Sequence, residues 1–163
     1  MQYDTEPNGY NRPYDFLPMY YNGDSFTEEV YIKPTTLPEH KIGILSQENS
    51  HEILMDTSGD IGFAYYDDLY TYTDEPSDPV TTLAINTWYH IALVYDSTVP
   101  SVQVFIDAVS VYTKEIQLNF MIGKHNIISH SSVAGQCGGY YVTNYRFWNV
   151  IMDDAELAVV MVE

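Results

Sequence analysis

The stretch 86–96, N-T-W-Y-H-I-A-L-V-Y-D, is the longest uninterrupted apolar and aromatic run in the chain, and it constrains the fold more than any other segment. Strand side chains alternate with period two. Trp88, His90, Ala92 and Val94 therefore share one face, and Tyr89, Ile91, Leu93 and Tyr95 share the other. Apart from His90, both faces are apolar. A strand of that kind runs through the middle of a sheet and is covered on each side. Turn formers flank it: Asn86-Thr87 before, Asp96-Ser97-Thr98 and Pro100 after. Trp88 is expected to anchor the core, and His90 to be a hydrogen-bonded core histidine.

Other segments repeat the signal of short strands and turns. Residues 25–33 alternate, with Phe26, Glu28, Val30 and Ile32 against Thr27, Glu29, Tyr31 and Lys33, and Pro34 stops them. Strands are expected at 41–47, 51–56, 61–66, 102–107, 110–114, 120–124 and along 138–149, with 69–73 continuing the sheet. The Thr57-Ser58-Gly59-Asp60 tip reads as a hairpin turn. Residues 126–135 read as a polar loop. Prolines at 7, 13 and 18 make 1–24 an extended arm with short edge strands at most. Asp153-Asp154-Ala155-Glu156-Leu157 starts a short helix, because acidic residues favour a helix N-terminus. The pattern of many short strands specifies an all-β sandwich or barrel with one short C-terminal helix, as a single domain over 1–163.

Taken in order, five segments resemble the laminin G-like, or concanavalin A-like, lectin and glucanase jelly roll. They are D-S-F-T-E-E-V-Y-I-K-P (24–34), L-A-I-N-T-W-Y-H-I-A-L-V-Y-D (83–96), V-Q-V-F-I-D-A-V-S-V (102–111), F-M-I-G (120–123) and the closing run from Gly138 to Leu157. The resemblance implies an all-β, two-sheet antiparallel jelly-roll sandwich, its two sheets stacked and its loops gathered at an edge. Residues 1–23 match poorly. The hairpin at Asp107-Ala108 has Ala where the family usually has Gly. Ala tolerates positive φ poorly, which points to another turn type.

Charge and composition narrow the function. The chain has 23 acidic and 6 basic residues, a net charge of -17. Nucleic acid and anionic membrane both demand clustered Lys and Arg, so neither is expected as a partner. No window approaches the ~20 apolar residues of a membrane span, and residues 1–9 carry no signal peptide pattern. Cys137 is the only cysteine, so no intrachain disulfide forms. Superfamily glucanases need two facing carboxylates, but no E-x-D-x-E segment is present, and Glu28 and Glu29 point to opposite faces. No nucleophile elbow appears either. The chain is read as non-catalytic.

Binding is the remaining class. Tyr65, Tyr66, Asp67, Asp68, Tyr70 and Tyr72 combine rings that stack on sugars with carboxylates that accept hydrogen bonds from sugar hydroxyls. Alternate members could equally fill the core. Tyr140 and Tyr141 raise the same question. Asp56, Ser58 and Asp60 alternate around Gly59 at a spacing that can hold Ca2+; the same residues are what a hairpin turn uses. Arg146 is expected to pair with Asp153 or Asp154, and Trp148 to fill the sandwich. The chain is expected to bind a glycan or glycoprotein surface, in an extracellular or virion-surface setting. The alternative is a structural surface subunit, such as a virion decoration protein or a filament or sheath component. In that reading the arm and the apolar tail 158–162 dock on neighbours or on other copies by adding strands.

Overall fold

In the computed structural model the described residues are 24–47, 50–66, 72–75, 81–118, 125–129 and 139–161. They form eleven strands and one helix. One sheet has five strands: β1 (Phe26–Pro34), β7 (Tyr89–Asp96), β8 (Ser101–Ile106), β9 (Val109–Glu115) and β11 (Tyr140–Trp148), in the order β11-β1-β7-β8-β9. The second contains β2 (Ile42–Gln47), β3 (His51–Met55), β4 (Asp60–Tyr66), β5 (Tyr72–Glu75) and β10 (His125–Ser129), in the order β10-β2-β3-β4-β5, with β6 (Thr81–Thr82) pairing on β4. All pairings are antiparallel. Residues 126–129, expected from sequence to be loop, belong to the edge strand β10. Its backbone pairs His125 with Gln47 and Ser129 with Gly43, although its polar residues break any apolar alternation. The strand expected at 120–124 lies outside the described residues.

Strand β7 is the middle strand of its sheet, and its alternation divides two cores. Ile91, Leu93 and Tyr95 point between the sheets, with Phe26, Val30 and Ile32 of β1 and Ile44, Ile53, Met55 and Phe63 of the facing sheet. Ala92 and Val94 point outward and meet Phe105, Met152 and Leu157. Leu157 belongs to the helix α1 (Asp154–Val160), which covers part of the outer face. A full capping box starts this helix: Asp153 accepts from the Glu156 backbone N–H, and Glu156 accepts from the Asp153 N–H. Thr27 holds the approach to it, donating to Val150 O at 2.8 Å and accepting from Met152 N at 3.0 Å.

Two turn-level features depart from expectation. Asp107 and Ala108 both have positive φ, 51° and 59°, so the β8–β9 turn is of the primed type despite lacking glycine. The pairing of Ile106 with Val109 leaves two residues to reverse the chain, and the twist of a hairpin favours a primed turn. In β11 the register slips: Glu29 faces Arg146, but Tyr31 faces Thr143. Two residues therefore oppose one, a β-bulge, with Asn144 at φ 52°. The bulge inverts the alternation. Tyr140, Val142, Tyr145 and Phe147 all pack on the inner core, while Trp148 packs on the outer one and Tyr141 and Arg146 share its face.

Candidate functional site

The adjacent acids Glu28 and Glu29 are both fully buried, on opposite faces of β1. Glu28 points between the sheets, where His51 Nε2 lies 2.6 Å from its Oε1. Ser50 Oγ is 3.1 Å from His51 Nδ1. Burial, followed by the charge of Glu28 and a hydrogen bond to it, raises the Tyr145 phenol far above its ordinary range. A serine, a histidine and a glutamate thus stand in line, but all three are sealed from solvent. Their geometry ties the two sheets together.

Glu29 faces outward under α1. Its Oε2 lies 2.5 Å from His90 Nε2, and its Oε1 accepts from Trp148 Nε1 at 3.0 Å and faces Arg146 Nε at 3.0 Å. Burial raises the Glu29 pKa, but hydrogen bonds from His90 and Trp148 and the nearby positive charge outweigh it and hold the carboxyl below its ordinary value. His90 Nδ1 has no partner among the described residues, so a ring proton is best placed on Nε2, where Glu29 accepts it. Arg146 pairs with Glu29, not with the helix acids expected from sequence, because the bulge aims it across β1. It also donates to Val160 O at 2.9 Å, and Tyr31 donates to Met161 O at 2.8 Å. The last turn of α1 has no basic residue of its own, so these two groups satisfy its carbonyls. Ala158 to Val160 lie within this helix. That part of the tail is helical rather than a strand, and its end is held by Arg146 and Tyr31 of its own domain.

Beyond α1 the outer face opens. Trp88, expected in the core, is 44% exposed. It lies on the His90 face, as the alternation requires, beside Tyr141. The cover ends short of it: a seven-residue helix is about 10 Å long at ~1.5 Å per residue, the length of roughly three strand residues. The Trp88 ring lies 6.4 Å from the Tyr141 ring at 48°. Lys33 Nζ sits over both, 5.9 Å from the Trp88 centroid and 5.2 Å from that of Tyr141. Lys33 and Tyr141 are direct cross-strand partners.

The surrounding backbone is fixed. Asn86, at φ 62°, donates its N–H to Pro34 O at 2.6 Å, and Ala84 N donates to Tyr89 Oη at 2.9 Å. Thr35 N donates to Gly139 O at 2.7 Å, and Gly139 N donates to Thr36 Oγ1 at 2.7 Å. A Cβ at Gly139 would collide with Thr35 Oγ1. Three chain segments thus meet to present two rings and an ammonium on one open face. Alternation in the sequence identifies the face of Trp88. The bulge that turns Tyr141 to the same side is signalled only by Asn144, which tolerates left-handed backbone.

The residues singled out from sequence fall elsewhere. Tyr65 is buried and stacks on Phe63 at 5.9 Å, so it is a core residue. Tyr66 is half-buried and pairs with Tyr72 across β4 and β5. Asp67, Asp68 and Tyr70 lie outside the described residues. Asp56 Oδ1 accepts from Ser58 N at 2.7 Å and Asp60 N at 3.0 Å, which closes the hairpin turn. Asp60 Oδ1 accepts from the Thr82 hydroxyl. Among the described residues, no group of three or more His, Cys, Asp or Glu side chains is placed to hold a metal ion. None of their helices is long and apolar enough to cross a membrane.

Residues 10–158 match the family model described as the concanavalin A-like lectin/glucanases superfamily, of laminin G type. No curated protein sequence matches the chain. Among solved structures, the chain is similar to the binding domain of botulinum neurotoxin DC in complex with rat synaptotagmin II, at 12% identity and a TM-score of 0.64 over 88% of this chain and 37% of that one. It is also similar to the binding domain of Paraclostridial mosquitocidal protein 1, at 11% identity and a TM-score of 0.64 over 84% and 36%. A third is the receptor binding domain of botulinum neurotoxin type G, at 10% identity and a TM-score of 0.60 over 84% and 37%. The chain spans little more than a third of each, and at these identities the likeness is one of fold.

Proposed function

Because the chain belongs to the concanavalin A-like lectin/glucanases superfamily, we propose that it is a non-catalytic binding module that recognises glycans or a glycosylated surface through Trp88, Tyr141 and Lys33. One observation carries the reading: a tryptophan that could have been buried is presented outward beside a second ring. Large exposed aromatic rings are costly in water and are characteristic of recognition surfaces, where an apolar face meets the C–H face of a sugar ring. The similar structures are binding domains, which supports the broader class. The burial of Glu28 and Glu29 supports a role without hydrolysis, since a glycosidase needs both carboxylates in a cleft.

The test is a glycan array probed with the wild-type chain and with Trp88→Ala, each with and without calcium. Wild-type binding that the variant loses is expected. Calcium is expected to make no difference, because the Asp56 carboxylate is already engaged by its own turn. Wild-type protein that binds no glycan under either condition refutes the proposal, as does a variant that binds as well as wild type. A self-associating structural subunit remains the competing proposal; sedimentation of a stable oligomer that binds no glycan would favour it.

A further inference from the structure

We infer that the Trp88–Tyr141–Lys33 platform selects pyranoses that carry a carboxylate, such as hexuronic or sialic acid residues. The inference rests on the platform being the glycan site.

The chain carries 23 acidic residues and only 6 basic ones. A lysine in such a protein has many carboxylates to pair with, as Arg146 does with Glu29. Lys33 does not take one. Among the described residues its ammonium forms no ion pair and is engaged only by the Trp88 and Tyr141 rings. Cation–π contact holds the charge but uses none of its three N–H donors in a directed hydrogen bond to an anion. The ammonium of half-buried Lys33 is therefore positioned over the two rings, with its hydrogen-bond donors uncommitted among the described residues.

The two classes of sugar meet this arrangement differently. A neutral pyranose stacking on either ring must move the ammonium aside and gives back only neutral hydrogen bonds. A pyranose with a carboxylate beside its ring plane keeps the ammonium in reach of both partners. It gains a charge-assisted hydrogen bond, which is shorter and stronger than a neutral one. The flexible four-carbon stem of lysine allows that adjustment. The net charge of -17 repels anions at a distance, but at physiological salt the field of exposed charges decays within about 8 Å. Selection is made at contact.

The experiment uses two ligand pairs at 150 mM salt: an oligogalacturonate and its methyl ester, and 3′-sialyllactose and lactose. Dissociation constants are measured by NMR titration of the full chain. At least one acidic sugar is expected to bind about three- to tenfold tighter than its neutral partner, the range of a partly exposed charge pair. The pair that discriminates identifies the source of the carboxylate. Lys33→Met is expected to bring that ratio close to one, and Lys33→Arg to restore it. If acidic and neutral partners bind equally, with Trp88→Ala losing both, the inference fails and the glycan site stands. If none of the four sugars binds while neutral glycans bind on the array, the inference likewise fails alone. If no glycan binds anywhere, both fail.

Discussion

Replacing Glu29 with glutamine tests how the outer layer is held. The carboxylate is fully buried, with Trp148 Nε1 and Arg146 Nε each 3.0 Å from Oε1 and His90 Nε2 2.5 Å from Oε2. Glutamine keeps the shape and removes the charge. Hydrogen bonds to a charged group contribute about 1.5–3 kcal/mol each, against about 0.5–1.5 kcal/mol for neutral ones. The amide must also turn its NH2 toward one of three donors, and only His90 can accept, by moving its proton to Nδ1. That atom has no partner among the described residues. Arg146 keeps a half-buried charge with Val160 O as its remaining acceptor. A loss of about 2–4 kcal/mol at pH 7 follows, a large part of the ~5–15 kcal/mol of a typical domain. Urea unfolding with equal slopes for both proteins would measure it.

The pH dependence gives the same test a second arm. The folded Glu29 carboxyl lies below its ordinary value of 4.5. Its stabilisation is therefore complete above the unfolded value and is lost as pH falls through the folded one. The gap between wild type and variant should narrow as pH falls below about 4.5. A variant within about 0.5 kcal/mol of wild type at pH 7, or a gap that does not narrow in acid, would refute the account.

Further predictions concern the backbone. Ala108→Gly should stabilise the chain by about 0.5–1 kcal/mol in urea unfolding, because a left-handed alanine costs ~1–2 kcal/mol and glycine's extra unfolded-state entropy takes back part of the relief. Asn144→Val should cost about 1–3 kcal/mol, since a β-branched residue is poorly tolerated at φ 52°. The same variant should weaken glycan binding on the array, because the bulge sets the face of Tyr141. Gly59→Ala should destabilise by more than about 2 kcal/mol, because a Cβ there would stand 2.7 Å from Leu83 O at a φ of 87°; a thermal melt reads it directly.

Much of this architecture is legible in the sequence for physical reasons. Two-sided apolarity at 89–95 could only be buried by cover on both faces, and both covers are there. The Asp153–Glu156 capping box is local, so the helix start is visible too. The site is less legible because it depends on where cover stops. Trp88 obeys the same alternation as Val94, yet one is buried and the other open. The length of α1, not the strand pattern, decides between them. The pairing of Arg146 with Glu29 and the outward turn of Tyr141 both follow from one inserted residue in β11. Period-two reading assumes no such insertion. Tyr65 looked like a sugar-stacking ring only because a core tyrosine and an exposed one share the same letter.

The central claim is that Trp88 and its neighbours form the binding surface. The chain has two tryptophans, so its 15N-labelled spectrum holds two indole N–H signals. Trp148 is committed to Glu29 inside the outer core. On titration with an array-selected glycan, the account predicts that the Trp88 indole signal and the backbone amides around Lys33 and Tyr141 move while the Trp148 indole signal stays in place. Binding that shifts neither the Trp88 indole nor those amides would contradict it.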